Sequence, residues 1–436
     1  MRGPSEQVML KVLTNRRRDS PASPLTEVAV AAVCTKTRTS LASRAKSKGL
    51  SRRALRLLSI AVFLVIGLLA LIGCSGGEEA KDEEEAQVPS SEEVQSALEQ
   101  AVAAGIPGIA VEIRGPEGSE FLAAGVASLE DERPLTPEDR FRIASVTKAF
   151  TAAVVMELVE EGTLSLDDPV EDWAPGLLAE GYSITVRHLL AHTSGLPDYT
   201  KDEEFIEAFV AGEDLPPQRI VSFVSSEPLA FEPGTKYEYS DTDNIVLGMI
   251  VEAATRQPYE QELSSRVLEP LGLQATVLPD DPAMPEPHAQ GYQYPPESEG
   301  AGKPDNVTTA LDPSAAWASG ALVSTPSDLS RFFEGLLGGE LVGEDTLEQM
   351  KETLAGEGSP SGPGTKRAGL GIFSYELPCG EVWGHTGQFP GYQAFGAATP
   401  DGHGGLAMIA NATGISEEAN EALIHAQELA GCRALG

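Results

Sequence analysis

Ser145-Val146-Thr147-Lys148 opens a stretch, ASVTKAFTAAVVMELVEEG, whose apolar residues recur at helical spacing. Val146, Ala149, Phe150, Ala153, Val154 and Leu158 share one face, and Gly162 is the expected stop. A helix that buries this face holds Ser145 and Lys148 side by side on its first turn, because residues three apart are neighbours. A partly desolvated lysine near the positive end of a helix dipole has its pKa pushed down and can take the proton of a serine hydroxyl. Ser145 and Lys148 are therefore the candidate nucleophile and base, and the rest of the chain has to supply their helpers.

The 436 residues can hold one large or two medium domains. The formal charge of −35 is unevenly placed. Residues 1–73 hold 13 of the 31 basic and 3 of the 66 acidic side chains, which leaves 18 and 63 in the remainder, a net of −45. So acidic a body argues against nucleic acid and anionic membrane surfaces as partners.

Residues 1–56 are rich in Arg, Lys, Ser and Thr and show no sustained periodicity. SRRALR then leads into LLSIAVFLVIGLLALIG, residues 57–73, which has no charge. This is the pattern of a positive n-region and an apolar h-region. Its end, Leu71-Ile72-Gly73-Cys74, resembles a bacterial lipoprotein box with Cys74 as the lipidated residue, although the run is also nearly long enough for a single spanning anchor. Either reading leaves the basic tail inside and puts everything after Cys74 on the extracytoplasmic face of the cell membrane. Residues 74–92 form an acidic tether with little to bury. The folded domain is then 93–436, with Ser90 and Glu93 as a capping box ahead of its first helix. Of the four cysteines, Cys34 lies in the tail, Cys74 after the apolar run, and Cys379 and Cys432 in the body, with no CxxC or Cys/His metal spacing. In an exported body Cys379 and Cys432 can pair if the fold brings them together.

The helix after Ser90 carries Val94, Ala97, Leu98, Ala101 and Val102 on one side. Residues 108–114 alternate, with Ile109, Val111 and Ile113 on one face, and GPEGS turns them into a second strand through Phe121, Leu122 and Val126. Residues 163–345 are loop-rich with helical pieces. TVRHLLAHTSGLPDY (185–199) is expected to start helical and break at Ser194-Gly195, and NIVLGMIVEAAT (244–255) to be buried. Thr325-Pro326-Ser327-Asp328 is a helix start. Strand character returns at 382–384, 393–399 and 406–411, and a final helix carries Ala419, Ala422, Leu423, Ala426 and Leu429 with Gly431 as its stop. Strands at both ends of the body predict a single sheet in which the termini meet.

A Ser–Lys pair needs a proton relay to the leaving group, a second oxyanion donor and a wall that aligns the substrate. Tyr239, in Tyr239-Ser240-Asp241 after the turn-rich FEPGTKYE, is expected at a loop edge, where a phenol passes a proton between Ser145 and a leaving amine or alcohol. By itself it reads more readily as an ordinary packing aromatic. His385-Thr386-Gly387 follows the strand VWG. Its glycine admits substrate backbone closely, the amide of Gln388 can join that of Ser145 in an oxyanion hole, and His385 can tune the field or polarise Tyr239. His188 and His192 stand four apart, as zinc ligands can, but no HExxH accompanies them, and they are read as buttresses of a helix and the HTSG turn.

These three pieces, in this order, resemble the penicillin-recognising serine hydrolases: class C β-lactamases, low-molecular-weight D-alanyl-D-alanine carboxypeptidases, and related esterases and D-aminopeptidases. The resemblance covers about residues 94–435 and includes RIASVTKAFTA, EEGTLSLDDPV, ITVRHLLAHTSGLPDY, FEPGTKYEYSDTDNIVLGMIVE and GHTGQFPGY. It implies an α+β fold of the β-lactamase/transpeptidase type: an antiparallel sheet flanked by helices beside a mostly helical region, with the active site between them. It further implies that Ser145 is acylated, that Lys148 is its base partner and that Tyr239 serves protonation and deacylation. The amides of Ser145 and Gln388 would hold the oxyanion, with Asp241, Thr386 and Gly387 beside the substrate and no metal or organic cofactor required. In similar carboxypeptidases a disulfide joins the region before His-Thr-Gly to the C-terminal helix, and Cys379 and Cys432 sit suitably for it.

Two positions depart from the family. Its second motif usually reads Tyr-x-Asn, whose amide reads the acyl-amide group of the substrate; Asp241 stands there instead, and an ionised carboxylate donates no hydrogen bond. His385 replaces the lysine typical of β-lactamases, and residues 369–384 hold no Lys or Arg to clasp a terminal carboxylate. The expectation is a membrane-tethered, extracytoplasmic serine hydrolase forming an acyl-enzyme on a D-amino-acid peptide, a peptidoglycan stem or a β-lactam-like amide. A small ester or amide is the second substrate class, and a non-turnover sensor of wall fragments is the rival of a different kind. Partners would be a small-molecule or peptidoglycan-derived substrate and the membrane; the oligomeric state is open.

Overall fold

The first helix, α1 (Ser91–Ala103), starts where a reciprocal cap satisfies its free amides: Ser90 Oγ accepts from the Glu93 amide at 3.3 Å and the Ser90 amide donates to Glu93 Oε2 at 2.8 Å. The computed structural model describes residues 88–436 apart from 116–117, 180–182, 296–301 and 354–361. The basic tail, the apolar run with Cys74 and most of the acidic tether lie outside the described residues. Among the described residues no helix is long and apolar enough to cross a membrane.

The strands are β1 (Gly108–Gly115), β2 (Gly118–Gly125), β3 (Phe141–Arg142), β4 (Tyr292–Gln293), β5 (Asp305–Asn306), β6 (Val323–Ser324), β7 (Thr365–Ala368), β8 (Phe373–Leu377), β9 (Gly380–Phe389), β10 (Tyr392–Ala398), β11 (Gly405–Ala410) and β12 (Ala412–Thr413). Seven form one antiparallel sheet in the order β2-β1-β11-β10-β9-β8-β7. The N-terminal hairpin thus pairs with the C-terminal strands, Ile109 opposite Ala410, and the termini meet in one sheet. The short pair β3–β6 and the three-stranded β12–β4–β5 lie outside it.

The helices that frame the site are α2 (Thr147–Glu160), α3 (Val186–Leu190), α4 (Asp241–Thr255), α5 (Trp317–Gly320), α6 (Pro326–Leu337) and α7 (Glu417–Ala434). Successive strand residues point to opposite faces, and the two faces feed two cores. Ile109, Val111, Phe395, Leu406 and Met408 pack with Val94 and Leu98 of α1 and Leu423 and Ala426 of α7. Ala110, Ala394, Ala398, Ala407 and Ile409 pack with α6 and with the helical region that includes α2 and α4. Helices on both faces of the sheet beside a mostly helical region make this an α+β fold of the β-lactamase/transpeptidase type. They also explain why β1 is buried on both sides and not on one alternating face.

Two expected boundaries move. Gly431 does not stop the last helix, which runs to Ala434. A Cβ there would lie 2.4 Å from Leu377 Cδ1, so the glycine serves the close approach of α7 to β8. The break after TVRHLL comes at His192, at φ 53°, ahead of Ser194-Gly195.

Candidate active site

The chain enters α2 through a 3-10 turn, Ala144–Val146, in which Ala144 takes φ 51°. A non-glycine residue seldom adopts this conformation, and such strain collects at functional sites. Thr147 Oγ1 pins the turn, donating to the Ala144 carbonyl at 2.7 Å and accepting the Leu322 amide at 3.1 Å. Ser145 is carried on this turn, and Lys148 sits on the first turn of a helix whose residues from Thr147 to Met156 are all buried.

Lys148 is fully buried. Its Nζ donates to Ser145 Oγ at 3.2 Å, to Asp241 Oδ1 at 2.6 Å and to the Ser319 carbonyl of α5 at 2.6 Å. Three acceptors match the three hydrogens of an ammonium group, so the buried charge is paired and fully hydrogen-bonded. Sequence reasoning missed the Ser319 carbonyl. Any residue type can present a main-chain oxygen, and the four-residue α5 that aims this one follows no motif.

Tyr239 lies in the loop before α4, next to the N-cap Ser240, and Asp241 is the first residue of that helix. Lys148 Nζ lies 5.0 Å from the Tyr239 ring centroid. Burial and then the Asp241 charge push the phenol well above its ordinary pKa, while a hydrogen bond to Ser145 acts the other way. The side chain still keeps part of its surface open. Behind it lies a pair that no spacing disclosed. His192 Nδ1 is 2.9 Å from Asp243 Oδ2, Ser194 Oγ donates to Asp243 Oδ1 at 2.5 Å, and the His192 and Tyr239 ring centroids are 4.5 Å apart. His188 has a separate task, accepting the Thr185 amide on Nδ1 at 3.2 Å at the start of α3.

β9 brings His385-Thr386-Gly387 to Ser145. A Cβ on Gly387 would lie 2.1 Å from the Ile143 carbonyl oxygen and 3.1 Å from the Ser145 amide nitrogen, so only glycine lets the strand run this close. Gln388 follows on the same strand, opposite Gln393 of β10. Burial and then the Lys148 charge hold His385 down at about 3, which makes the ring neutral. Its Nδ1 faces the Thr386 carbonyl, an obligate acceptor, so Nδ1 carries the hydrogen. Nε2 is then a lone-pair acceptor, buried and without a hydrogen-bond partner among the described residues. At the far end of β9, Cys379 is disulfide-bonded to Cys432 of α7, with Cα atoms 5.5 Å apart.

A sequence profile described as Beta-lactamase matches residues 94–430. The chain is similar to penicillin-binding protein 4 of Bacillus subtilis, at 31% identity over 63% of this chain and 62% of that protein. It therefore spans less than two thirds of that relative's length. It is similar to esterase EstB of Burkholderia gladioli, at 31% identity over 61% of this chain and 77% of that protein. Among solved structures it resembles a D-stereospecific amidohydrolase from Streptomyces sp., with 36% identity, a TM-score of 0.67, and coverage of 77% of this chain and 98% of that one. The match runs through the Ser145 turn, the Tyr239 loop and the β9 wall alike, and the chain belongs to the Beta-lactamase family, the serine hydrolases related to β-lactamases and penicillin-binding proteins.

Proposed function

We propose that this hydrolase works through an acyl-enzyme on a D-amino-acid peptide, amide or related peptidoglycan stem. The observation that carries the reading is Lys148 Nζ, buried in an apolar core with Ser145 Oγ 3.2 Å away. Lys148 Nζ, which donates three hydrogen bonds in the resting arrangement, first gives one hydrogen to solvent, and the Ser145 proton passes to that nitrogen as Oγ attacks the acyl carbonyl. Tyr239, hydrogen-bonded to Ser145, hands a proton to the leaving nitrogen or oxygen. The amides of Ser145 and Gln388 take the oxyanion, and Thr386 and Gly387 form the wall beside the substrate. Water then attacks the acyl carbonyl, the proton path runs in reverse, and Ser145 is regenerated. The 36% identity to a D-stereospecific amidohydrolase supports the D-amino-acid assignment, and the 31% identity to an esterase supports small esters as the second class. Ser145→Ala is expected to abolish hydrolysis of a D-aminoacyl p-nitroanilide and of a p-nitrophenyl ester together; retained turnover of either overturns the reading.

The same proposal places residues 93–436 outside the cytoplasm, joined by the acidic stretch 74–92 to a lipid on Cys74 or to the apolar run 57–73. Cells expressing the full chain with labelled palmitate should incorporate label that Cys74→Ser removes. A wild-type chain that stays unlabelled yet partitions with membranes would instead support the spanning anchor.

A further inference from the structure

The groups around Ser145 offer acceptors and negative charge where a substrate would lie. Lys148 Nζ bridges Ser145 Oγ and Asp241 Oδ1, so the Asp241 carboxylate stands two hydrogen bonds from the atom that is acylated. Only Oδ1 is engaged by Lys148, and 19% of the Asp241 side chain stays exposed. A second carboxylate, Asp198, is near enough for the Asp241 charge, after burial, to raise its pKa. His385, its ring centroid 6.5 Å from that of Tyr239, holds Nε2, a buried acceptor that nothing among the described residues satisfies. The nearby cations are committed: all three Lys148 hydrogens have acceptors, and Lys201 Nζ is paired with Asp198 at 3.2 Å. Asp243 is held by His192 and Ser194.

A carboxylate accepts hydrogen bonds and cannot donate them. A substrate group beside Asp241 must therefore bring hydrogens, and charge-assisted bonds are the strong ones. In an aminoacyl group the α-nitrogen is two bonds from the carbonyl carbon, which keeps it close to the atom that Ser145 attacks. An N-acylated substrate presents a carbonyl oxygen beyond that nitrogen, and a carboxylate-bearing substrate would set its acceptors against those of Asp241.

Resting on the hydrolase reading above, we propose that Asp241 is a specificity-determining residue and that the acyl group carries a free α-ammonium. The substrates are then D-aminoacyl amides, esters or peptides with an unblocked amino end, and not N-acylated or carboxylate-anchored ones.

The test uses the full chain with D-alanine p-nitroanilide and its N-acetyl derivative. Wild type should favour the free amine by about tenfold or more in kcat/KM, the scale of one charge-assisted hydrogen bond. Asp241→Asn should bring the ratio towards one. In wild type the preference should also fade as the pH rises past about 8, where an α-amino group loses its proton; this second reading stands if the variant is inactive. Equal or better turnover of the N-acetyl compound by wild type, a ratio unchanged in Asp241→Asn, or a preference that ignores pH overturns the assignment of Asp241. Absence of Ser145-dependent turnover of both compounds overturns the hydrolase reading and this inference with it, whereas turnover without preference overturns the inference alone.

Discussion

Ser145 Oγ stands between two groups that handle protons differently: a buried lysine with every hydrogen engaged, and a phenol held neutral by burial and by the Asp241 charge. His385 is also neutral, held so by burial and the Lys148 charge, and that has a thermodynamic consequence. Its folded value is about 3, pushed down by burial and then by Lys148, against about 6.5 for an unperturbed imidazole. The native protein refuses a proton that the unfolded chain accepts, so the associated stability is complete above about pH 6.5 and is lost as pH falls towards 3. Acid unfolding followed by circular dichroism should show wild type losing stability more steeply in that window than His385→Gln, by about one proton; equal slopes contradict the assignment. At this scale Ser145, Lys148, Tyr239 and His385 were legible because their residue types and local spacings are unusual together. The Ser319 carbonyl and the His192–Asp243 pair were not. One is main chain, and the other joins residues 51 positions apart that no local pattern links.

β9 is the element that turns these residues into a site. Gly387 lets it run against the strained Ala144 turn, His385 on the same strand holds its ring centroid 6.5 Å from that of Tyr239, and Cys379 ties its start to α7 across 53 residues of sequence. Cross-linking a loop of that length removes chain entropy from the unfolded state worth about 4 kcal/mol. Denaturant unfolding of the Cys379→Ser/Cys432→Ser double variant should show a loss of about 2–4 kcal/mol relative to the oxidised protein; an unchanged midpoint would mean that the bond contributes nothing. Helix existence was readable from periodicity and caps, as in Ser90 with Glu93 and Thr325 with Asp328. Element ends and faces were less so. Gly431 carries the composition of a stop yet serves a helix–strand contact, and the alternation of β1 could not reveal that helices would cover both sides.

Over the whole molecule, the N-terminal hairpin and the C-terminal strands close one sheet, and the long intervening segment supplies the helical region with Tyr239, Asp241 and Ser319. The active site therefore needs three distant parts of the chain, which is why the chemistry was clearer from the sequence than the groups that read the substrate. Residues 74–436 carry a net −45. A cationic substrate is drawn to such a surface and an anionic one repelled. The central claim, that Ser145 is the acylated atom, is tested most directly by intact-mass and peptide mass spectrometry after reaction with a fluorophosphonate probe. The account expects one adduct per chain, located on Ser145 and absent from Ser145→Ala; an adduct on another residue, or one that persists in the variant, would contradict it.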